Sequence, residues 1–347
     1  MKLSEFKYAL PKNTIAKFPA DPRDSSKLML IDKETGDSKD MKFRDIHKLF
    51  EKGDCLVLNE TKVFPARLFG KKEKTNAKIE VMLLRELKAE DRIWDVIVEP
   101  ARKVRIGNKI YFDDNKFYCE VIDNTTSRGR TVRFSYEENL FGIIERIGQM
   151  PLPEYIKREP TEDDKESYQC VFANGKYLAS IAPPTGGLHF TEDLLKKIEK
   201  KGVRIAKVVM NIGQGVFENI EVEDLTKHRM YSEYFEITRE TAETINKSIR
   251  VKGRIFAAGA STARALEASV LTSYNVKPNK GWTDKFIYPP YEFKIVSNLI
   301  TNFHYPASPS LLLAAAFAGK ENIFKAYKKA LKSDYRFLAY GDAMMIY

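Results

Sequence analysis

Cysteine and histidine are scarce in this 347-residue chain, which has three of the first and four of the second. Cys55, Cys119 and Cys170 lie far apart without C-x-x-C spacing, so neither a disulfide framework nor a thiolate zinc site is indicated, and a reducing compartment fits. The histidines show no H-E-x-x-H pattern, and no metal centre is expected. Long apolar runs are missing too: the longest, "LLLAAAFAG" at 311–319, is well short of the roughly 20 residues that span a bilayer. The opening "MKLSEFKYAL" interleaves charges and has no apolar leader core. These absences predict a soluble, cytoplasmic protein with no membrane partner.

What is present points to a large folded core. Hydrophobic residues make up 43% and aromatics 12% of the chain, which argues against disorder, and the length accommodates two domains. Lys and Arg number 58 against 48 acidic residues, a formal charge of +10, and a basic excess favours anionic partners such as RNA through counterion release.

Two rhythms divide the chain. From Arg67 to Phe134 short runs alternate apolar and polar residues: "AKIEVMLLREL", "RIWDVIVEP", "NKIYFDD", "KFYCEVIDN" and "GRTVRFSY". Gly, Asn and Asp turns separate them, and a small antiparallel barrel is the natural reading. After the proline-punctuated connector at 150–160, strands alternate with helices. Thr191 starts a helix that Gly202 stops, "VRIAKVVM" is a strand, and a helix runs from Thr238 to Arg250. "RIFAAG" then leads into "STARALEASV", and "NLITNF" into "SPSLLLAAAFAG". The early strand in "GDCLVLNETKVFPAR" joins the same layer. The expected fold is therefore α/β: a discontinuous domain, 1–65 and 150–347, with a largely parallel sheet, carrying an inserted β-barrel domain at 66–149.

In an open α/β sheet, ligands bind beyond the carboxyl ends of the strands. Several polar stretches fall at such junctions: Asn59, Glu60 and Lys62 after "CLVL", 211–217 after "VVM", "GASTARALE" after "RIFAA", and "TNFHYPASPS" after "NLI". In "GASTARALE", Gly259 ends a strand, Ser261 can cap the helix, and Arg264 lies in its first turn, facing either a ligand or a neighbouring carboxylate. "NIGQGVF" lacks the spacing of a phosphate-binding glycine loop. His189, in "IAPPTGGLHF", and His304, in "NFH", are each either a proton-transfer group or a hydrogen-bonded structural residue; His47 and His228 sit in helical or charged surroundings and are set aside. By these residues the chain is an α/β enzyme with a polar cleft.

A resemblance goes further. "FPADPRDSSKLMLID", "LNETKVFPARLFGKKE", "MPLPEYIKR", "IAPPTGGLHFTEDLL", "GWTDKFIYPPYEF", "LITNFHYPASPSLLLAAAFAGKENI" and "YRFLAYGDAMMI" closely resemble, in order and from Phe6 to the end, the S-adenosylmethionine:tRNA ribosyltransferase-isomerases of queuosine biosynthesis. The resemblance implies an α/β domain with an inserted barrel. It also implies transfer and isomerisation of the ribosyl group of S-adenosylmethionine onto 7-aminomethyl-7-deazaguanine at the wobble position of a tRNA with a GUN anticodon. Epoxyqueuosine forms, and adenine and methionine leave. S-adenosylmethionine is the only co-substrate implied, no metal is needed, and a monomer is expected. The sulfonium acidifies the ribose C5′ protons, one base can remove a proton there, and a group bonded to the purine helps it leave.

On this footing His189 and His304 are the acid/base candidates, and Arg264 holds the methionine carboxylate. Gly186 and Gly187 let their loop close on adenosine, and Asn302 and Asp342 bind ribose or adenine. Thr185, Phe190, Gly213, Gly215 and Ser261 complete the expected nucleoside-binding set. The chain departs from the family pattern at Asn211 and Val216, which stand for His and Thr in an "HVGxGTF" loop. Tyr231 replaces the histidine of "MHSE", Ala260 and Ser261 alter "GTTSVRTLE", and Ala307 replaces a lysine. These departures leave open a tRNA-binding relative without the activity, or another S-adenosylmethionine-dependent transferase; the latter is disfavoured because no glycine-rich turn follows the first strand.

Overall fold

The computed structural model describes every residue except 114, 115, 127, 214, 216–219 and 271–273. Seventeen strands are assigned among the described residues. The first four are β1 (Lys27–Ile31), β2 (Ser38–Lys42), β3 (Cys55–Asn59) and β4 (Lys62–Val63); β5 (Arg67–Lys72), β6 (Lys78–Lys88), β7 (Ile93–Glu99), β8 (Lys109–Tyr111), β9 (Tyr118–Asn124) and β10 (Gly129–Ser135) follow. Helix α1 (Leu140–Ile147) and the short α2 (Asp164–Ser167) then precede β11 (Leu178–Ser180), α3 (Glu192–Lys200), β12 (Arg204–Met210), β13 (Glu233–Ile237), α4 (Arg239–Arg250) and β14 (Ile255–Ala258). The chain ends with α5 (Ala260–Ala268), β15 (Asn279–Thr283), β16 (Asn298–Asn302), α6 (Pro309–Ala318), α7 (Lys320–Lys332) and β17 (Ala343–Ile346).

Nine strands form one sheet in the order β15-β13-β12-β3-β14-β16-β17-β1-β2. Its centre, β12, β3, β14 and β16, is parallel. These strands read as continuous apolar runs because both faces are covered, and all five residues of β3 are buried. The flanks contain the antiparallel pairs: β13 runs against β12 and β15 against β13, β17 runs against β16 and β2 against β1, while β1 and β17 are parallel. The parallel block expected from the strand-helix alternation is thus the middle of a mixed sheet.

Local chemistry sets the helix ends. Thr191, Thr238 and Ser308 each accept a hydrogen bond from a first-turn N–H of α3, α4 and α6, and Gly202 stops the chain after α3 at φ 81°. Helix α6 is apolar all round, and it is the most buried helix, with Leu311 to Ala315 all inaccessible. Before α5, Gly259 at φ 99° is the N-cap residue, without a side-chain cap. Ser261 therefore lies inside the first turn and does not cap it, and Arg264 sits one turn further in.

Strands β5 to β10 close into a six-stranded antiparallel barrel. Five of its strands match the alternating runs; β5 had no such signal because "RLFGKK" is short and basic. The barrel fills with its own core, including Leu68, Val96, Val132 and Phe134, and α1 adds Leu140, Ile143 and Ile144 to it. Its two ends meet: Arg67 and Gln149 exchange backbone hydrogen bonds of 3.1 and 2.9 Å.

The loop 181–190 packs directly against the sheet. A Cβ on Gly186 would stand 2.7 Å from the Ile300 carbonyl oxygen and 3.0 Å from the Gly259 nitrogen, and one on Gly187 2.7 Å from the Phe172 ring. Both glycines are therefore needed for close contact with the protein itself. Gly186→Ala should lower stability by about 1–3 kcal/mol in urea denaturation. Gly142→Ala in α1, where nothing lies within 4 Å of the added atom, should be neutral or stabilising by up to about 1 kcal/mol. Equal midpoints for the two variants would show that the loop yields.

Candidate active site

A cavity of about 960 Å³ opens at the carboxyl ends of the parallel strands, where an α/β sheet presents loops and helix N-termini. Its wall takes Ile212 and Gly215 from beyond β12, Ala260, Ser261 and Arg264 from the start of α5, Asn302 to Tyr305 from the end of β16, and Ser308 and Ser310 at the start of α6. Ala182 to Thr185 close one side, and the N-terminal loop, the 153–157 turn and Leu338 to Ala339 close the others. The N-termini of α5 and α6 both reach this wall, so their unpaired N–H groups give it positive potential.

Arg264 is the most constrained charge in it. The guanidinium is only 9% exposed. Its Nη1 donates to Glu233 Oε2, and its Nε donates to the Lys285 carbonyl at 3.1 Å. Glu233 is fixed in turn, because its Oε1 accepts from the Gly213 N–H at 2.8 Å. Nη2 of Arg264 is buried and has no hydrogen-bond partner among the described residues. A buried guanidinium nitrogen without a partner is unfavourable by itself.

The two candidate histidines have different surroundings. His304 lines the cavity and is only partly buried. Its Nε2 is 2.8 Å from the Thr301 hydroxyl, its N–H donates to Tyr327 Oη at 2.8 Å, and its carbonyl accepts from Tyr8 Oη. Nδ1 has no partner among the described residues, and burial pulls the imidazole pKa down to about 3, so the ring is neutral at physiological pH. The Thr301 hydroxyl can donate or accept, which leaves Nδ1 either as an acceptor or as an N–H donor.

His189 does not reach the cavity wall. Its ring lies under Phe43 with centroids 4.8 Å apart, and it is 4% exposed. Asn302 Nδ2 donates to the Leu338 and Ala339 carbonyls at 2.8 and 3.2 Å, which turns Oδ1 toward His189 Nε2 at 2.9 Å. Nε2 must then carry the proton, and Nδ1 accepts from Ser26 Oγ at 2.9 Å. Both nitrogens are committed, so His189 holds Asn302 in place and is not itself on the cavity wall.

The other expected residues divide similarly. Thr185, Gly215, Ser261 and Asn302 line the cavity, and Ser261 Oγ accepts from Asn59 Nδ2 at 3.1 Å. Phe190 is core, edge-on to Phe43 at 5.0 Å, and Gly213 serves Glu233 through its N–H. Asp342 clamps a turn: it accepts from the N–H groups of Lys27 and Arg336 at 2.9 and 2.8 Å and from the Arg336 guanidinium at 3.3 Å. Phe190, Gly186, Gly187, Gly213 and Asp342 are therefore not among the residues that line the cavity.

With this geometry in place the similarities to known proteins can be read. A family model described as a queuosine biosynthesis protein matches residues 3–346. The chain belongs to that family. It is 54% identical to the S-adenosylmethionine:tRNA ribosyltransferase-isomerase of Chloroherpeton thalassium and 52% identical to that of Cytophaga hutchinsonii, each over the full length of both chains. The crystal structure of S-adenosylmethionine tRNA ribosyltransferase from Thermotoga maritima is 33% identical over 99% of this chain and 100% of that one, with a TM-score of 0.55.

Among the departures from the family pattern, only Ala260 and Ser261 touch the cavity. Asn211 donates its backbone N–H to the Tyr234 carbonyl at 2.9 Å, Tyr231 lies beside Gly215 at 3.6 Å from where its Cβ would be, and Ala307 donates its N–H to the Phe6 carbonyl at 3.0 Å. Val216 lies outside the described residues. Reading the sequence missed Glu233, Lys285 and the 153–157 turn, although the strings "MYSE", "GWTDKF" and "MPLPEYIK" held them. A carboxylate two residues from Tyr231 and a lysine in a conspicuous aromatic string were the available signals.

Burial draws the His189 pKa down to about 4, below the roughly 6.5 of an unfolded histidine. The unfolded chain binds the extra proton, so stability is complete above pH ~6.5 and falls as the pH is lowered toward 4. His189→Asn should lower the urea midpoint at pH 7 and flatten this decline; an unchanged slope would place the titrating group elsewhere.

Proposed function

We propose that this chain is an S-adenosylmethionine:tRNA ribosyltransferase-isomerase. It moves and isomerises the ribosyl group of S-adenosylmethionine onto 7-aminomethyl-7-deazaguanine at the wobble position of a tRNA with a GUN anticodon, giving epoxyqueuosine, adenine and methionine. The observation that carries this reading is a polar cavity at the carboxyl ends of the parallel strands, lined by Arg264, Ser261, Asn302 and His304 beside two helix N-termini, a setting suited to an anionic, ribose-bearing co-substrate. The full-length relatives named for this activity support the same reading.

The residues then take separate tasks. Glu233 holds the Arg264 guanidinium in one orientation at the cavity wall, so that its positive charge is placed without a rotamer search. Ser261 and Thr185 offer hydroxyls to the ribose, and the rigidly held Asn302 shapes the adjoining wall. His304 works in its neutral form, because burial disfavours the imidazolium. Its Nδ1 exchanges a hydrogen bond with the purine as that group leaves. The deep apolar wall of Phe303 and Leu313 excludes water from the opened sugar.

The decisive measurement is adenine release, followed by chromatography, from the purified chain with S-adenosylmethionine and precursor-bearing tRNA. Release that requires the modified tRNA is expected; S-adenosylhomocysteine as product would make the chain a methyltransferase, and binding without product would make it an RNA-binding relative. Arg264→Lys should raise KM for S-adenosylmethionine about tenfold to a hundredfold while kcat changes little, because it removes a charge-assisted contact made in ground and transition states alike. His304→Ala should lower kcat by about a hundredfold or more with a nearly unchanged melting midpoint. Wild-type turnover would remove His304 from the chemistry.

A further inference from the structure

The cavity mouth carries charges that no neighbour balances. Lys12, Lys17, Lys157 and Arg128 all line it and are exposed, and none has a hydrogen bond or ion pair through its side chain among the described residues. Among the described residues Glu154 is the only carboxylate that lines the mouth beside them.

These four side chains stand on backbone that is pinned. The N-terminal loop is tied to the C-terminal segment, with the Phe337 N–H donating to the Thr14 carbonyl at 2.8 Å. Arg158 Nε donates to the Lys17 carbonyl at 2.9 Å, and the same guanidinium grips Asp164 with two bonds of 2.7 Å. Burial alone would raise the Asp164 pKa, but Arg158, the Thr161 N–H and Tyr340 Oη together bring it down to about 2, so this anchor stays charged. Lys157 lies between Arg158 and the buried Ile156, in a left-handed turn.

Arg128 is the barrel's contribution to the wall. It projects from the turn between β9 and β10, whose base is held by the buried Arg130 through bonds to the carbonyls of Ala101, Val104 and Gly129. One arginine is thus consumed in fixing the turn, and the neighbouring one is left free.

An exposed aromatic completes the rim. Tyr305 is 47% exposed, lines the cavity next to His304, and has no hydroxyl partner among the described residues. Its backbone is held on the His304 side by Tyr8 and Tyr327, so the ring is presented at the entrance.

Fixed, unpaired cations from both lobes around an exposed ring match a polyanion that carries flat bases, with phosphates outside and one base turned inward. We propose that this rim docks a single-stranded RNA loop: Lys12, Lys17, Lys157 and Arg128 hold its backbone phosphates, and Tyr305 stacks on the base that enters the cavity. The proposal rests on the assigned function, for which it names the surface that receives the tRNA, and it gives the barrel a task as the second jaw.

The test uses the full chain and an unmodified tRNA transcript, with affinity measured from about 50 to 200 mM salt. Each phosphate contact to a single strand contributes roughly 0.7 to the slope of log K against log salt. The Lys12→Gln, Lys17→Gln, Lys157→Gln, Arg128→Gln quadruple variant should therefore lose about 3 from that slope, and Arg128→Gln alone about 0.7. Tyr305→Ala should weaken binding of an anticodon stem-loop about tenfold, and Tyr305→Phe should restore it. KM for S-adenosylmethionine and the urea midpoint should not change. A wild-type salt slope in the quadruple variant, or full affinity in Tyr305→Ala, overturns the docking surface even where adenine release persists. Conversely, a wild-type chain that shows the rim-dependent slope but releases no adenine retains the surface and loses the assigned reaction.

Discussion

A neutral contact between one imidazole and one amide gathers the molecule's distant segments. Ser26 near the start, His189 in the central loop, Asn302 at the end of β16 and the carbonyls of Leu338 and Ala339 near the terminus form a single hydrogen-bond chain. Each polar atom in it is buried and can be satisfied only by the next, so moving one link leaves a donor or acceptor without a partner. The ring must stay uncharged because burial penalises the imidazolium, although the hydroxyl and the amide oxygen could accept both of its donors. The cavity wall inherits its rigidity from that requirement, and so a residue read as a proton carrier turns out to hold a wall in place.

Electrostatics then divides the cavity into a floor and a rim. At the floor a single guanidinium is almost fully enclosed and paired with Glu233, so its charge is held in one place beside the helix N-termini. At the rim the charges are exposed and uncompensated, so each is weak and screened by salt, and together they are suited to an extended partner. A small co-substrate and a large nucleic acid need these opposite arrangements, and here both surround one opening.

Much of the architecture was legible in the letters. Period-two runs marked five of six barrel strands, and Thr191, Thr238 and Gly202 marked helix ends, because these signals are local and depend on backbone chemistry alone. The site was legible in part. Arg264, His304, Asn302, Ser261 and Thr185 lie where strand ends meet helix starts, a rule that needs topology only. His189 and Asp342 looked functional because polar residues in glycine-rich or aromatic strings also serve as internal fasteners, and only long-range partners such as Ser26 and Arg336 distinguish the two uses. Glu233 was hidden for the opposite reason: it opens β13 in an unremarkable string, and its meaning comes from an arginine on another element.

The doorway of the barrel has a consequence of its own. Its incoming and outgoing chains are paired at Arg67 and Gln149, and Gly148 fits so tightly there that a Cβ would lie 2.2 Å from the Pro65 carbonyl oxygen. Because both ends are stitched at one point, an added or deleted hairpin residue within 67–135 need not stretch any connection of the nine-stranded sheet. Lineages can therefore lengthen or trim the barrel's loops, and so retune what it grasps, without disturbing the chemistry next door.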